Sequence, residues 1–175
     1  MHLDPRLPLA HARLGWALLW KRRHDSAIAE FERALALNPN FIDNRYAWVL
    51  SYAGDHAGAI EMLEANSRLD PFPSPGNALF LTALANYMLK RYGEAVRLLH
   101  ECTSRLPNLQ GPHLLLGSAY AQLGRLDEAR KEAAEVLRIN PAFTIERFRP
   151  LAVYKNPNDF EHRIDGLRKA GLPES

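Results

Sequence analysis

The chain of 175 residues has one cysteine, Cys102, so no disulfide can close within it, and a reducing, cytoplasmic setting fits. No apolar run approaches the ~18 residues of a membrane-spanning helix. The start, Met1-His2-Leu3-Asp4-Pro5, lacks the cationic stretch and apolar core of a secretory leader. Neither sign of charge dominates. The 22 Lys and Arg stand against 20 Asp and Glu, and a net +2 is too small for a nucleic-acid footprint. The arginines are spread along the chain, as on solvated helix faces with acidic neighbours.

Catalytic signatures are missing too. There is no Gly-rich phosphate loop, no Gly-x-Ser-x-Gly elbow and no Ser-x-x-Lys. The seven histidines include no pair at three- or four-residue spacing, so no helical zinc site is expected. His100-Glu101-Cys102 is the nearest cluster. Adjacent helical residues point about 100° apart and cannot converge on one metal. No enzyme activity, cofactor or metal is therefore expected.

A period is present instead. Prolines stand at Pro5, Pro39, Pro71, Pro107 and Pro141, spaced by 34, 32, 36 and 34 residues. Alanines lie twelve residues before the internal four, at Ala27, Ala59, Ala95 and Ala129. Small residues lie twelve earlier again, at Gly15, Ala47, Ala83 and Gly117. Proline stops a helix, and small residues let two helices cross closely. Each period thus reads as a helical hairpin touching at a Gly/Ala and an Ala. The helices are expected over 8–21 and 24–37, 40–53 and 56–69, 76–89 and 92–105, 110–123 and 126–139. The stretch Pro71-Phe72-Pro73-Ser74-Pro75-Gly76 reads as a stiff linker, and the turn at Pro39-Asn40 as tight.

These landmarks resemble the tetratricopeptide repeat family. The first unit carries Leu14-Gly15, Ala27, Phe31, Ala34 and Pro39, and the fourth Leu116-Gly117, Tyr120, Gly124, Ala129 and Pro141. The second has Asn66 where the family prefers Ala, and the third departs around Thr82 and Asn86. The resemblance implies an all-α, right-handed α-solenoid of four helix-turn-helix units (8–39, 40–71, 76–107, 110–141). Residues 1–7 read as the remnant of an upstream repeat, so the first helix is expected to bare an apolar face. Residues 142–175 read as a C-terminal cap, with a short helix over 143–149 stopped by Pro150 and a second ending at Gly171. The tail from Tyr154 to Glu174 also resembles the end of bacterial proteins that join a class III adenylate/guanylate cyclase domain to such repeats. That likeness implies a parent protein with a cyclase, not activity in this chain.

The leading helix of each unit lines the concave side of a solenoid. Helical spacing places Trp16, Trp20, Phe41, Asn44, Arg45, Trp48, Tyr52, Asn77, Phe80, Leu84 and Tyr87 on or beside that side. The fourth unit offers the smaller Gly111, Leu114, Ser118 and Ala121. Trp, Tyr and Arg dominate binding hot spots, yet aromatics at helical spacing also serve as core, and both readings stand. Some family members hold a chaperone's terminal carboxylate at the places of Ala12, Trp16, Arg45, Asn77 and Leu81. The lysines used there are absent, which points to an apolar or aromatic segment instead. The expected function is a non-catalytic module binding a protein or peptide segment, as a regulatory or scaffolding region. The alternative is self-association into a homo-oligomer. RNA binding by helical repeats is the weakest reading, given the low charge.

Overall fold

The computed structural model describes residues 7–69 and 75–175. The remnant at Leu3-Asp4-Pro5 and the linker stretch 70–74 lie outside the described residues. Ten helices follow in order: α1 Pro8–Trp20, α2 His24–Leu37, α3 Arg45–Ala53, α4 His56–Leu69, α5 Pro75–Met88, α6 Tyr92–Arg105, α7 Gln110–Gln122, α8 Leu126–Ile139, α9 Ile145–Phe148 and α10 Pro157–Lys169. A 3-10 turn, Arg149–Leu151, separates the last two, and no strand occurs among the described residues. The architecture is all-α, of the solenoid kind.

The landmarks do what their chemistry requires. Ala27, Ala47, Ala59, Ala83, Ala95 and Ala129 are fully buried. A methyl added at Gly15 would sit 2.9 Å from the Ala27 carbonyl oxygen and 2.7 Å from the Phe31 ring. Helices α1 and α2 therefore touch backbone to side chain at this residue. Cys102 fills another small-residue place and is fully buried.

The four hairpin turns share one design. Arg22, Gly54, Lys90 and Gly124 each take a left-handed backbone, at φ of 57°, 97°, 59° and 75°. The next amide closes a bond five residues back in every case: Arg23 to Leu18, Asp55 to Leu50, Arg91 to Asn86 and Arg125 to Tyr120, at 2.9 to 3.0 Å. This is the glycine-type helix stop, occupied twice by a long cationic side chain.

The chain divides into two compact units. The first comprises residues 1–74 with Val153–Asn156, and the second Pro75–Ala152 with Pro157–Ser175. In the first, the hairpins α1–α2 and α3–α4 stack, with α2 and α1 both against α3. In the second, α5–α6 and α7–α8 stack likewise, and α10 lies on α7.

Two expectations need correction. Helix α3 begins at Arg45 rather than 40, and the turn before it is long rather than tight. Asn38 Oδ1 accepts the Asn40 amide at 3.0 Å and Asp43 Oδ1 accepts the Arg45 amide at 3.0 Å. These side chains offer the backbone a turn in place of a helix. The short helix of the cap ends at Phe148, with Arg149 as its C-cap directly before Pro150, and Pro150 itself sits in a 3-10 turn at a position where a missing amide donor costs nothing. The tail is not one block over the last repeat, since residues 153–156 pack in the first unit.

The rest of the tail closes the second unit. Ile145, Ile164, Leu167 and Leu172 join Leu114, Val136 and Phe143 in one buried cluster. The amides of Ile145 and Glu146 donate to the carbonyls of Pro173 and Glu174 at 2.9 Å each. Arginines on outer faces pair with acidic neighbours three residues away, as Arg97 with Glu94 and Arg138 with Glu135. Such exposed pairs add only a few tenths of a kcal/mol each.

Candidate functional site

In the first unit, α1 and α3 lie side by side and carry four of the aromatics singled out by spacing. Trp16 and Trp20 stand edge to face with centroids 5.5 Å apart, and Trp20 is 48% exposed. On α3, Trp48 stacks on Tyr52 at 5.6 Å with an interplanar angle of 18°. Tyr154, from the returning segment, meets Tyr52 edge-on at 4.8 Å. Trp16, Trp48 and Tyr52 are half-buried, so each keeps part of its ring in solvent.

The returning segment is held by specific bonds. The Lys155 amide donates to the Tyr52 carbonyl at 2.8 Å, and His24 Nε2 lies 2.6 Å from the Val153 carbonyl oxygen. Lys155 Nζ is 2.6 Å from Asp25 Oδ1, and this contact holds the Asp25 carboxyl below its usual range.

The polar members of the set are already engaged. Arg45 forks onto Asp43, with Nε 2.9 Å from Oδ1 and Nη2 2.5 Å from Oδ2. The bond to Asp43 raises the Arg45 pKa against the effect of burial. Asn44 Oδ1 accepts from Asn66 Nδ2 at 2.9 Å, which satisfies the buried polar residue standing where the family prefers alanine. Phe41 is half-buried in the turn before α3.

In the second unit the expected face is largely covered by the chain itself. Asn77 is exposed and Phe80 half-buried, the latter beside Gly111. Leu84 and Tyr87 are inside, at 3% and 0% exposure. They are corrected from candidate contact residues to core. The reason is α10: Tyr87 stacks on His162 at 4.8 Å and its hydroxyl donates to the His162 carbonyl at 3.2 Å. A methyl at Gly166 would come within 2.5 Å of Tyr87 Oη and 2.8 Å of Ser118 Cβ. Burial pushes the Tyr87 phenol up to about 12. Ser118 and Leu114, on the same side of the fourth unit, are buried as well.

Burial pushes the Cys102 thiol up, away from a reactive thiolate. Among the described residues no three His, Cys, Asp or Glu gather as metal ligands, and no helix is long and apolar enough to cross a membrane. What the first unit offers is a partly solvated aromatic surface on neighbouring helices.

Three family models described as tetratricopeptide repeat match the chain, over residues 8–41, 46–101 and 86–146. Together they span both units and all eight hairpin helices.

The chain belongs to the tetratricopeptide repeat family.

Solved structures of the same fold cover nearly all of this TPR chain. MamA aligns at 20% identity and a TM-score of 0.63, covering 97% of this chain and 94% of its own. PilW, a type IV pilus biogenesis factor, aligns at 18% identity and 0.74, over 93% and 76%. YrrB, titled a TPR protein with an unusual peptide-binding site, aligns at 18% and 0.60, over 95% and 86%. At these identities the likeness shows the fold alone. No curated protein sequence matches.

Two features escaped the sequence reading of this TPR array. His11 Nδ1 lies 2.6 Å from Glu30 Oε2, and His113 Nδ1 lies 2.7 Å from Glu132 Oε2. The same bridge joins leading and trailing helix in the first and fourth hairpins, and its members recur at the same offset of three periods. That recurrence was readable. The second is Tyr154 and Lys155 against α2 and α3. Only tertiary folding brings them there, and no local pattern signals it.

Proposed function

We propose that this TPR chain is an interaction module whose partner surface is the aromatic face of the first unit, built from Trp16, Trp20, Trp48 and Tyr52 and flanked by Phe41 and Arg45. The observation that carries this reading is the stacked pair Trp48–Tyr52, both half-buried, with the buried Tyr154 set edge-on against Tyr52. Large rings with few rotatable bonds gain much contact area at low entropic cost. The partner is a protein or peptide segment. Asn77 and Phe80 present a smaller surface on the second unit. The test is Trp48→Ala. Its binding should weaken by more than about 1 kcal/mol while the far-ultraviolet spectrum and melting curve stay close to wild type. Unchanged binding would remove Trp48 from the surface.

A second reading, self-association, is favoured by apolar side chains bared on the first helix. Leu9 is 44% exposed and Leu14 is 45%. Light scattering across a hundredfold dilution separates the readings, because only self-association gives a mass that falls on dilution. A regulatory or scaffolding role beside a bacterial nucleotidyl cyclase, in the cytoplasm, rests on the likeness of the tail alone. A cyclase domain in the same reading frame would support it.

A further inference from the structure

Helix α10 treats its two arginines differently. Arg168 is exposed and pairs with Glu174 at 2.8 Å. Arg163 is 4% exposed, as deep as the apolar residues of the same helix. An arginine keeps its charge inside a protein, and a buried charge needs a partner of opposite sign. Among the described residues Arg163 has none. Its Nη1 is buried without a hydrogen bond. Glu161 and Asp165, two residues to either side, are committed elsewhere. Glu161 pairs with Arg149 at 3.3 Å, and Asp165 pairs with Lys169 at 2.6 Å and accepts from Gln122 at 3.0 Å. Asp159, one turn earlier, is engaged in contacts that do not include Arg163.

What lies against the guanidinium is neutral. Its central carbon is 5.5 Å from the centroid of the Tyr87 ring. Burial pushes the Tyr87 phenol up to about 12, so it offers no negative charge, and its hydroxyl is spent on the His162 carbonyl. The His162 ring stacks on the same tyrosine at 4.8 Å. Burial lowers its pKa, so at neutral pH it adds no second positive charge. A ring face offsets only part of the cost of desolvating a cation. One uncompensated positive charge therefore remains, on a planar fork with a donor to spare. Solvent comes close to it, since Phe160 and His162, in the same turn of α10, are half-buried.

We propose that Arg163 anchors a carboxylate-binding site on the second unit, where the acid group of a partner peptide completes the ion pair that the chain leaves open. A carboxylate carries a single negative charge and matches the guanidinium fork with two parallel hydrogen bonds. A phosphate dianion needs a second cation, and the nearest, Lys90, is exposed. The carboxylate is that of a chain terminus or of an Asp or Glu side chain, which present the same group. The site is built on α5 and α10 and does not rest on the aromatic face of the first unit.

The experiment compares melting of the full chain at neutral pH in sodium acetate and in sodium chloride of equal ionic strength. Wild type should melt about 2–4 °C higher in about 100 mM acetate, as for a ligand with a millimolar dissociation constant. Arg163→Met nearly fills the same space without the charge. In chloride it should melt no lower than wild type, and acetate should not raise it. Arg163→Lys keeps the charge without the fork and should show less than about half the acetate shift. N-acetylleucine and the α-amide of N-acetylaspartate then stand in for a chain terminus and a side chain, and the larger shift names the source. No shift with either overturns the peptide occupant. No acetate shift in wild type, or an equal one in Arg163→Met, overturns the site. So does an Arg163→Met protein that melts well below wild type in chloride, because the guanidinium would then be compensated within the fold. A larger shift with phosphate than with acetate overturns the carboxylate. Trp48→Ala should keep the acetate shift, so failure of the aromatic face and failure of this site are read separately.

Discussion

Replacing Gly15 by alanine should destabilise the first unit, whereas the same change at Gly117 should not destabilise the second. Both glycines sit inside a leading helix at corresponding places, and both substitutions gain about 0.5–1 kcal/mol of helix propensity. The space differs. At Gly15 the new methyl would lie 2.7 and 2.9 Å from two Phe31 ring carbons and 2.9 Å from the Ala27 oxygen. Phe31 cannot swing aside, being 1% exposed and stacked on Tyr46 at 5.0 Å. The helices must part, at an overpacking cost of about 1–3 kcal/mol. At Gly117 the nearest atoms are Glu132 Cβ at 3.3 Å and the Ala129 oxygen at 3.4 Å, so a shift of a few tenths of an ångström suffices. The expected outcomes are a net loss of about 1 kcal/mol for Gly15→Ala, and no loss, or a gain of about 0.5 kcal/mol, for Gly117→Ala. Urea unfolding followed by circular dichroism reads both. With slopes of about 1–3 kcal/mol per molar, Gly15→Ala should lower the midpoint by roughly 0.3–1 M. Tyr46 and Trp48 report the first unit by fluorescence, so unequal unfolding of the two units does not blur the comparison. A Gly15→Ala protein as stable as wild type would refute the close crossing at that residue.

Asn44 and Asn66 should respond unequally. Asn66→Ala leaves a half-buried acceptor that water can reach and should cost under about 1 kcal/mol, while Asn44→Ala strands a buried amide and should cost about 1–3 kcal/mol by thermal or urea unfolding. The His162 ring has its pKa lowered by burial first and then by the Lys90 charge, with Arg163 adding to this and Asp165 opposing it. The unfolded state then binds the proton more readily than the folded state. Stability should be level above about pH 6.5 and fall as pH drops from there toward the depressed folded value. Melting temperatures measured across that window should lose part of this slope in His162→Phe, and an unchanged slope would reject the assignment.

The hairpins were legible because their signals are local. Helices α2, α4, α6 and α8 begin and end where the Pro and Ala period places them, since a proline stop acts on its own neighbourhood. The start of α3 was missed because Asn38 and Asp43 compete for nearby amides, and such competition is invisible to a hydrophobic period. For the aromatic face the period gave the side of each helix but not its cover. Trp48 and Tyr87 fall on the same expected face of their units, yet Tyr87 lies beneath His162 and Gly166, some 75 residues away along the chain. Lys155 reaches Asp25 across 130 residues. Contacts at that separation leave no periodic trace.

The return of residues 153–156 to the first unit sets an order of events during synthesis. His24 and Tyr52 emerge from the ribosome early, but the carbonyl and amide that complete their bonding belong to Val153 and Lys155, the former 129 residues beyond His24. The bonding of α2 and α3 in the first unit is thus finished only once residues 153–155 have been made. Until then the Tyr52 ring lacks its contact with Tyr154, and a nascent chain arrested short of Val153 would hold open the seat that this segment fills.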